Sequence, residues 1–279
     1  MTTKQPTLMP RRALLAAAFT VLAGCAGAPP AASPTAGAPD AAARAAIAPT
    51  GTLLIAVYPG SPTSLVERAP EDQMRGVTVD LGRSLATRLG VPAHVEVYAR
   101  QQEAFAAVQS GAADFMVTNA TAERTPLADF SQPLVDLELG VLVPPGSPVA
   151  TVNGIDQQGL TIGVSQGSSS ERAIGGRLKL SKLRTFPSLD AAAAALRANE
   201  VQAFATNKGI LFELGEKVPG ARILDGRWGA EHLAPAIPRG RPAAGLAYLQ
   251  TFTADVRGNG ELARAADRAK LRGTIAPQP

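Results

Sequence analysis

Aromatic side chains are scarce in this sequence, 4% of 279 residues, so a folded core has to be built from aliphatic side chains. There is a single cysteine, Cys25, which excludes an intramolecular disulfide. The two histidines, His94 and His232, are isolated and share no metal-ligand spacing, so no metal or other cofactor is expected. No Ser-His-Asp arrangement can be assembled around them, and "QGSSS" (Gln166–Ser170) lacks the G-x-S-x-G frame. Past the N-terminal region no apolar run reaches the roughly 20 residues that span a bilayer. An excess of charge is missing too. Lys4, Arg11 and Arg12 precede the first apolar run, where no acid occurs; the rest of the chain holds 24 basic against 23 acidic residues, a net +1. Without a Lys/Arg cluster, no nucleic-acid partner is expected.

What is present begins with an address. The basic start leads into an apolar run, Ala13–Ala23, of 11 residues, followed by Gly24 and Cys25. A basic start, a short apolar run and small residues at its end mark a secretory signal rather than a fold element. "LAGC" (Leu22–Cys25) resembles the bacterial lipoprotein signal, which implies lipidation of Cys25 as the mature N-terminus. The alternative is a plain signal peptide whose cysteine is incidental. "RRALLA" loosely resembles a twin-arginine export signal, with ordinary Sec export equally open. Residues 26–50 are nearly all Ala, Pro, Gly, Ser and Thr. They offer little to bury, so a disordered tether is expected, holding a soluble body near a membrane of the cell envelope. From Thr52 on, the length suits one large domain or two of about 110 residues.

Short apolar runs then alternate with helical periods. "LLIAVY" (53–58) reads as a strand. "VTVDLGRSLATRLG" (77–90) places Leu81, Leu85 and Leu89 at i, i+4 and i+8 before a stop glycine, and reads as a helix. "AHVEVYA" is a strand, "QEAFAAVQSG" a helix, "DFMVT" a strand. This βαβαβ rhythm implies a parallel sheet flanked by helices. An extended run, "LELGVLVPPGSPV" (137–149), interrupts it. The rhythm restarts with strand 159–165, helix 169–178, strand 182–186, a helix capped by Ser188, strand 201–206, helix 208–218 and strand 221–224. A second extended run (231–240) and two helices complete the chain. The expectation is an α/β protein of two lobes joined by two hinge crossings. Residues 1–24 are the signal, 25–50 the tether, 51–143 lobe 1, 144–230 lobe 2, and 231–275 a return crossing with the last helices of lobe 1. A ligand would sit in the cleft at the strands' C-terminal ends.

"GTLLIAVYPGSPTSL", "RGVTVDLGRSLATRLG", "FAAVQSGAADFMVTNATAERTPLADFSQPL", "IGVSQGSSSE" and "LRANEVQAFATNKGIL", in this order and spacing, resemble family 3 extracellular solute-binding proteins, the receptors of polar amino-acid ABC importers. The resemblance runs from about Gly51 to Gly273. It implies the two-lobed periplasmic-binding-protein fold (type II) and a monomer working with a membrane permease, without catalysis. It also implies that Arg124 grips a ligand carboxylate. A guanidinium's planar fork suits that task, with Asn119 and Thr121 as neutral hydrogen-bonding neighbours. The alternatives are a solvated arginine or one paired with Asp129. From the other lobe, Gly167 lets the backbone approach closely, and Ser168 and Ser169 open a helix whose free N–H groups would meet the same carboxylate; the alternative is an ordinary Ser-capped start.

The departures from the pattern bear on the ligand. The family's ammonium-binding aspartate is Asn207 here, followed by Lys208. The usual aromatic of the turn after the first strand is missing from "GSPTSL", Gln101 stands where a second is common, and Leu134 replaces a tyrosine. The expected ligand therefore carries an anionic group with no obligatory ammonium, more so if Arg100 or Lys208 faces the cleft. An α-amino acid whose ammonium meets carbonyls and another acid stays open. Asp80 and Trp228 read as structural. Two other functions remain: a lipoprotein reporting its ligand to a membrane signalling partner, and a periplasmic dehydratase-like enzyme. The last needs a general acid or base in the cleft, where only Glu123 and Glu171 lie beside the turns.

Overall fold

Why each apolar run becomes a strand or a helix is visible in what it packs against. The computed structural model describes residues 1–3 and 41–276. The basic start, the apolar run, Cys25 and residues 26–40 lie outside the described residues. Helix α1 (Ala41–Ile47) precedes β1 (Leu53–Val57), α2 (Val77–Leu89), β2 (Ala93–Val97), α3 (Gln101–Ser110) and β3 (Met116–Asn119). β1 and β2 pair in parallel from Leu53↔Ala93 to Val57↔Val97. α2 crosses between them, burying Leu81, Leu85 and Leu89 against Leu53, Ile55 and Phe115. It stops at Gly90, whose φ of 65° is left-handed, a conformation that glycine adopts without a Cβ penalty.

β4 (Ala128–Phe130) and the long β5 (Val135–Val143) follow, then β6 (Thr161–Ser165), α4 (Ser169–Gly175), β7 (Lys182–Phe186), α5 (Leu189–Arg197), β8 (Ala203–Asn207) and α6 (Lys208–Glu216). β6 is flanked in parallel by β7 and β8. Ser188 and Asn207 cap α5 and α6 by accepting from Ala191 N and Ile210 N, satisfying donors that a helix start otherwise leaves open. The chain ends with β9 (Arg222–Ile223), β10 (Gly229–Pro238), α7 (Ala243–Gly258), α8 (Glu261–Arg268) and β11 (Thr274–Ile275).

The protein is α/β and two-lobed, and β5 and β10 belong to both lobes. Leu137 of β5 packs in the core of β1, β2 and α2, whereas Leu139, Val141 and Val143 pack in a second core with Ile162 and Val164. β10 makes the same passage, since Trp228, directly before its first residue, lies in the second core and Leu233 in the first. The two strands pair antiparallel, Gly229↔Leu139 through Leu233↔Val135, and β11 adds to β5 at Leu137 and Asp136. The passage out of the first core therefore begins at Leu139, a few residues before the sequence boundary at 143, with Leu142 facing a third cluster around Phe204 and Leu211.

The sequence also misplaces the tether's end. Residues 41–47 are a helix, with Ala43, Ala46 and Ile47 buried. Small residues can be buried where helices approach closely. Gly245 of α7 provides that space: a Cβ there would lie 3.0 Å from the Ala46 Cβ. Arg241 ties the helix end down by donating to the Ile47 carbonyl at 2.5 Å and to Asp114 Oδ1 at 2.6 Å.

Two predictions concern stability. A Cβ at Gly76 would stand 2.0 Å from the Ser64 carbonyl oxygen, a backbone atom that cannot swing away. Gly76→Ala should therefore destabilise the fold by about 2–3 kcal/mol, read from urea unfolding midpoints. The exposed Asp156 carboxylate accepts from the backbone N–H groups of Ser181, Leu180 and Lys179, which hold its pKa below the usual carboxylate range. A depressed pKa contributes stability above the unfolded value of about 3.9 and loses it as pH falls through the folded one. Asp156→Asn should lower Tm at pH 7 and leave it unchanged near the acid limit, where both side chains are neutral.

Candidate functional site

Arg124 follows β3 in a turn closed by Arg124 N→Thr121 O (2.9 Å) and Leu127 N→Arg124 O (2.9 Å). Those bonds turn its side chain inward, and the residue is 3% exposed. Nη1 donates to Thr118 Oγ1 at 2.8 Å, and the guanidinium carbon sits 4.8 Å from the centroid of the Phe105 ring. Gln101, first residue of α3, donates to the same Thr118 hydroxyl at 3.3 Å. Burial draws the Arg124 pKa below the ordinary arginine value, and Arg172 adds to this, while Tyr58, Glu231 and Glu123 oppose it. The guanidinium stays charged. Among the described residues no carboxylate pairs with it; Asp129, the partner weighed from sequence, does not.

A second chain of contacts crosses between the lobes. Asn119, at the end of β3, donates through Nδ2 to Ser169 Oγ at 2.8 Å. Ser169 Oγ donates to Glu231 Oε1 at 2.5 Å, and Ser170 Oγ to the same oxygen at 3.3 Å. Asn207 Nδ2 points at Glu231 Oε2 from 3.5 Å, while its Oδ1 caps α6. Asn119, Thr121, Ser169 and Glu231 line a cleft of about 350 Å³ together with Glu123, Arg172 and His232. Asn119 Oδ1 and Thr121 Oγ1 are buried without a hydrogen-bond partner. His232 is held to the buried Asp136 at 2.7 Å.

The "SQGSS" turn is arranged differently from the expected anion cradle. Gly167 N–H donates to Glu171 Oε2 at 2.5 Å, and Ser168 Oγ accepts from Glu171 N at 3.0 Å. This is a reciprocal cap of the capping-box kind. The helix's own carboxylate thus occupies the Gly167 N–H, the Ser168 N–H donates to the Ser165 carbonyl at 3.2 Å, and Ser169 Oγ is committed to Glu231. Gly167 has φ +71°, and a Cβ there would meet Gln102 Oε1 of the facing lobe at 2.8 Å. The lobes also touch through Arg100 Nη1→Gln166 Oε1 (3.4 Å) and Arg172 Nε→Glu123 Oε2 (3.3 Å).

Gln101, with Tyr58, Arg100, Ser165, Gln166 and Ser168, lines a narrower space of about 60 Å³. Burial raises the Tyr58 pKa, against the hydrogen bonds of Ser61 and Thr63. Lys208 turns away from the cleft to Glu138, 2.6 Å distant.

Sequence reasoning missed three groups. Tyr58 supplies an aromatic directly after β1, two positions before the turn that was searched for one. Phe105 backs Arg124. Glu231 puts a carboxylate in a cleft read as having lost its ammonium acceptor. Period-two alternation signals it, because Glu231 shares a strand face with the buried Leu233.

The chain matches the model of the bacterial extracellular solute-binding proteins, family 3, over residues 53–269. Among solved structures it resembles the amino acid ABC transporter substrate-binding protein of Streptococcus pneumoniae bound to L-arginine, with TM-score 0.71, 23% identity and coverage of 80% of this chain and 96% of that one. The solute receptor for L-cysteine of Neisseria gonorrhoeae gives TM-score 0.71 and 24% identity over 84% and 99%. An ancestral amino acid-binding protein, a precursor of cyclohexadienyl dehydratase, gives 0.68 and 22% over 80% and 97%. At these identities the likeness establishes the fold. No curated protein matches the chain.

One prediction tests the facing turn. Gly167→Ala should cost about 1–2 kcal/mol from its left-handed backbone, seen as a lower Tm. Adding Gln102→Ala should restore only the part that comes from the clash.

Proposed function

We propose that this chain, which belongs to the bacterial extracellular solute-binding proteins, family 3, is the extracytoplasmic receptor of an ABC importer. It captures a small carboxylate-bearing polar solute, an amino acid or an organic acid, by closing its lobes. The observation that carries this reading is Arg124. It is a buried cation whose hydrogen-bond partner is one neutral hydroxyl and whose ring neighbour is Phe105. A buried charge without a counter-charge is costly, and a guanidinium with unused donors fits a carboxylate bidentately. Asn119 and Ser169 stand on opposite lobes, so a solute in contact with both favours the closed state over the open one. The delivery partner is a membrane permease. Cys25 is the lipid anchor, the receptor is a monomer, and the cleft performs no covalent chemistry.

A thermal-shift screen of amino acids and small organic acids tests this. A ligand at 100 times its Kd adds about 2.7 kcal/mol, a rise of about 5–10 °C for a domain of this size. Arg124→Ala should remove that rise for every carboxylate ligand while the unliganded protein stays folded. An undiminished shift in the variant would refute the assignment.

A further inference from the structure

Resting on Arg124 as the carboxylate clamp, we propose that Glu231 reads a cationic group at the other end of the ligand. The solute is then a zwitterion carrying a carboxylate and a primary ammonium, and Glu231 of the return crossing takes the place of the aspartate that Asn207 has replaced.

Glu231 is 7% exposed. Its hydrogen-bond donors are the hydroxyls of Ser169 and Ser170 and the Asn207 amide, all neutral. Among the described residues no cation pairs with it. The nearby candidates are engaged elsewhere: Lys208 with Glu138, Arg172 with Glu123, and His232 with Asp136. Arg124 is the mirror case, a buried cation without an anion. The two charges influence each other and the Tyr58 phenol, yet they form no ion pair. Two opposite buried charges kept apart each lack the Coulombic compensation that an ion pair would give. A molecule bearing both complementary charges supplies it to both at once, which a dicarboxylate cannot do.

The remaining polar groups of the cleft have the same bias. Asn119 Oδ1 and Thr121 Oγ1 are buried, unpartnered acceptors on the cleft wall that Glu231 shares. An ammonium brings three N–H donors and no acceptor. The Glu231 carboxylate, the Asn119 carbonyl and the Thr121 hydroxyl are three acceptors for it. Asn207, neutral and so unable to balance an ammonium itself, serves instead by orienting Glu231. Glu231 also lies on the hinge strand, opposite Leu137 of β5, so the cation would be read from the element about which the lobes close.

The test is isothermal titration of the purified chain, Glu231→Gln and Arg124→Ala. The probes are the twenty standard L-amino acids, their 2-hydroxy-acid counterparts, succinate and citrate. The native protein should bind at least one amino acid and bind its 2-hydroxy acid at least tenfold more weakly. Glu231→Gln should lose at least tenfold in affinity for the amino acid and little for the hydroxy acid. It should unfold at the same or a higher temperature when unliganded, because it removes an unpaired buried charge. Arg124→Ala should lose both ligands. If only organic acids bind and Arg124→Ala abolishes that binding, the clamp stands and the role of Glu231 is refuted. Amino-acid affinity unchanged in Glu231→Gln, or no amino acid bound by the native protein, also refutes it. Binding that survives Arg124→Ala overturns the clamp itself.

Discussion

The antiparallel pairing of β5 with β10 is the constraint on which the rest of the molecule depends. Over Val135–Leu139 and Gly229–Leu233 the two strands run side by side while their apolar side chains change from one core to the other. Because strands alternate faces every residue, Glu231 shares the buried face with Leu233, opposite Leu137, while the exposed His232 turns to the other face, opposite Asp136; both line the cleft. The hinge is therefore also a wall of the cleft, and a ligand touching Glu231 touches the element about which the lobes move.

Around this ribbon lie two buried charges that the protein does not neutralise for itself, Glu231 in the cleft and Arg124 beside a neighbouring space that shares Glu123 and Arg172 with it. Arg124 leans on Phe105 and Thr118, and Glu231 on Ser169, Ser170 and Asn207. The neutral partners fix the two groups in place without removing their charge. Elsewhere the same chain pairs its charges closely, as in Arg241 with Asp114 at 2.6 Å and Lys208 with Glu138 at 2.6 Å. Among the described residues the buried charges without an ion-pair partner are thus Arg124 and Glu231. Such local disagreement with the rules of stable packing is characteristic of binding sites.

The fold was legible in the sequence because its elements are locally consistent. Leu81, Leu85 and Leu89 announce α2, Gly90 ends it, and Ser188 caps α5. The place of Arg124 in a turn after a strand was legible as well. α1 was not, because "AAARAAI" carries almost no apolar bulk; its burial comes from the close approach that Gly245 permits. Glu171 was read as standing beside an anion site, whereas its carboxylate folds back on the Gly167 N–H.

By itself, then, the sequence determined the alternation of strands and helices and the two crossings, since each follows from periodicity or local turn chemistry. Which polar groups meet was decided only by tertiary structure. Glu231 is separated from Ser169 by 62 residues and from Arg124 by still more of the chain. No local pattern encodes a contact between residues so far apart. It exists because β10 is pinned beside β5, which carries Glu231 to the start of α4 and within reach of Asn207.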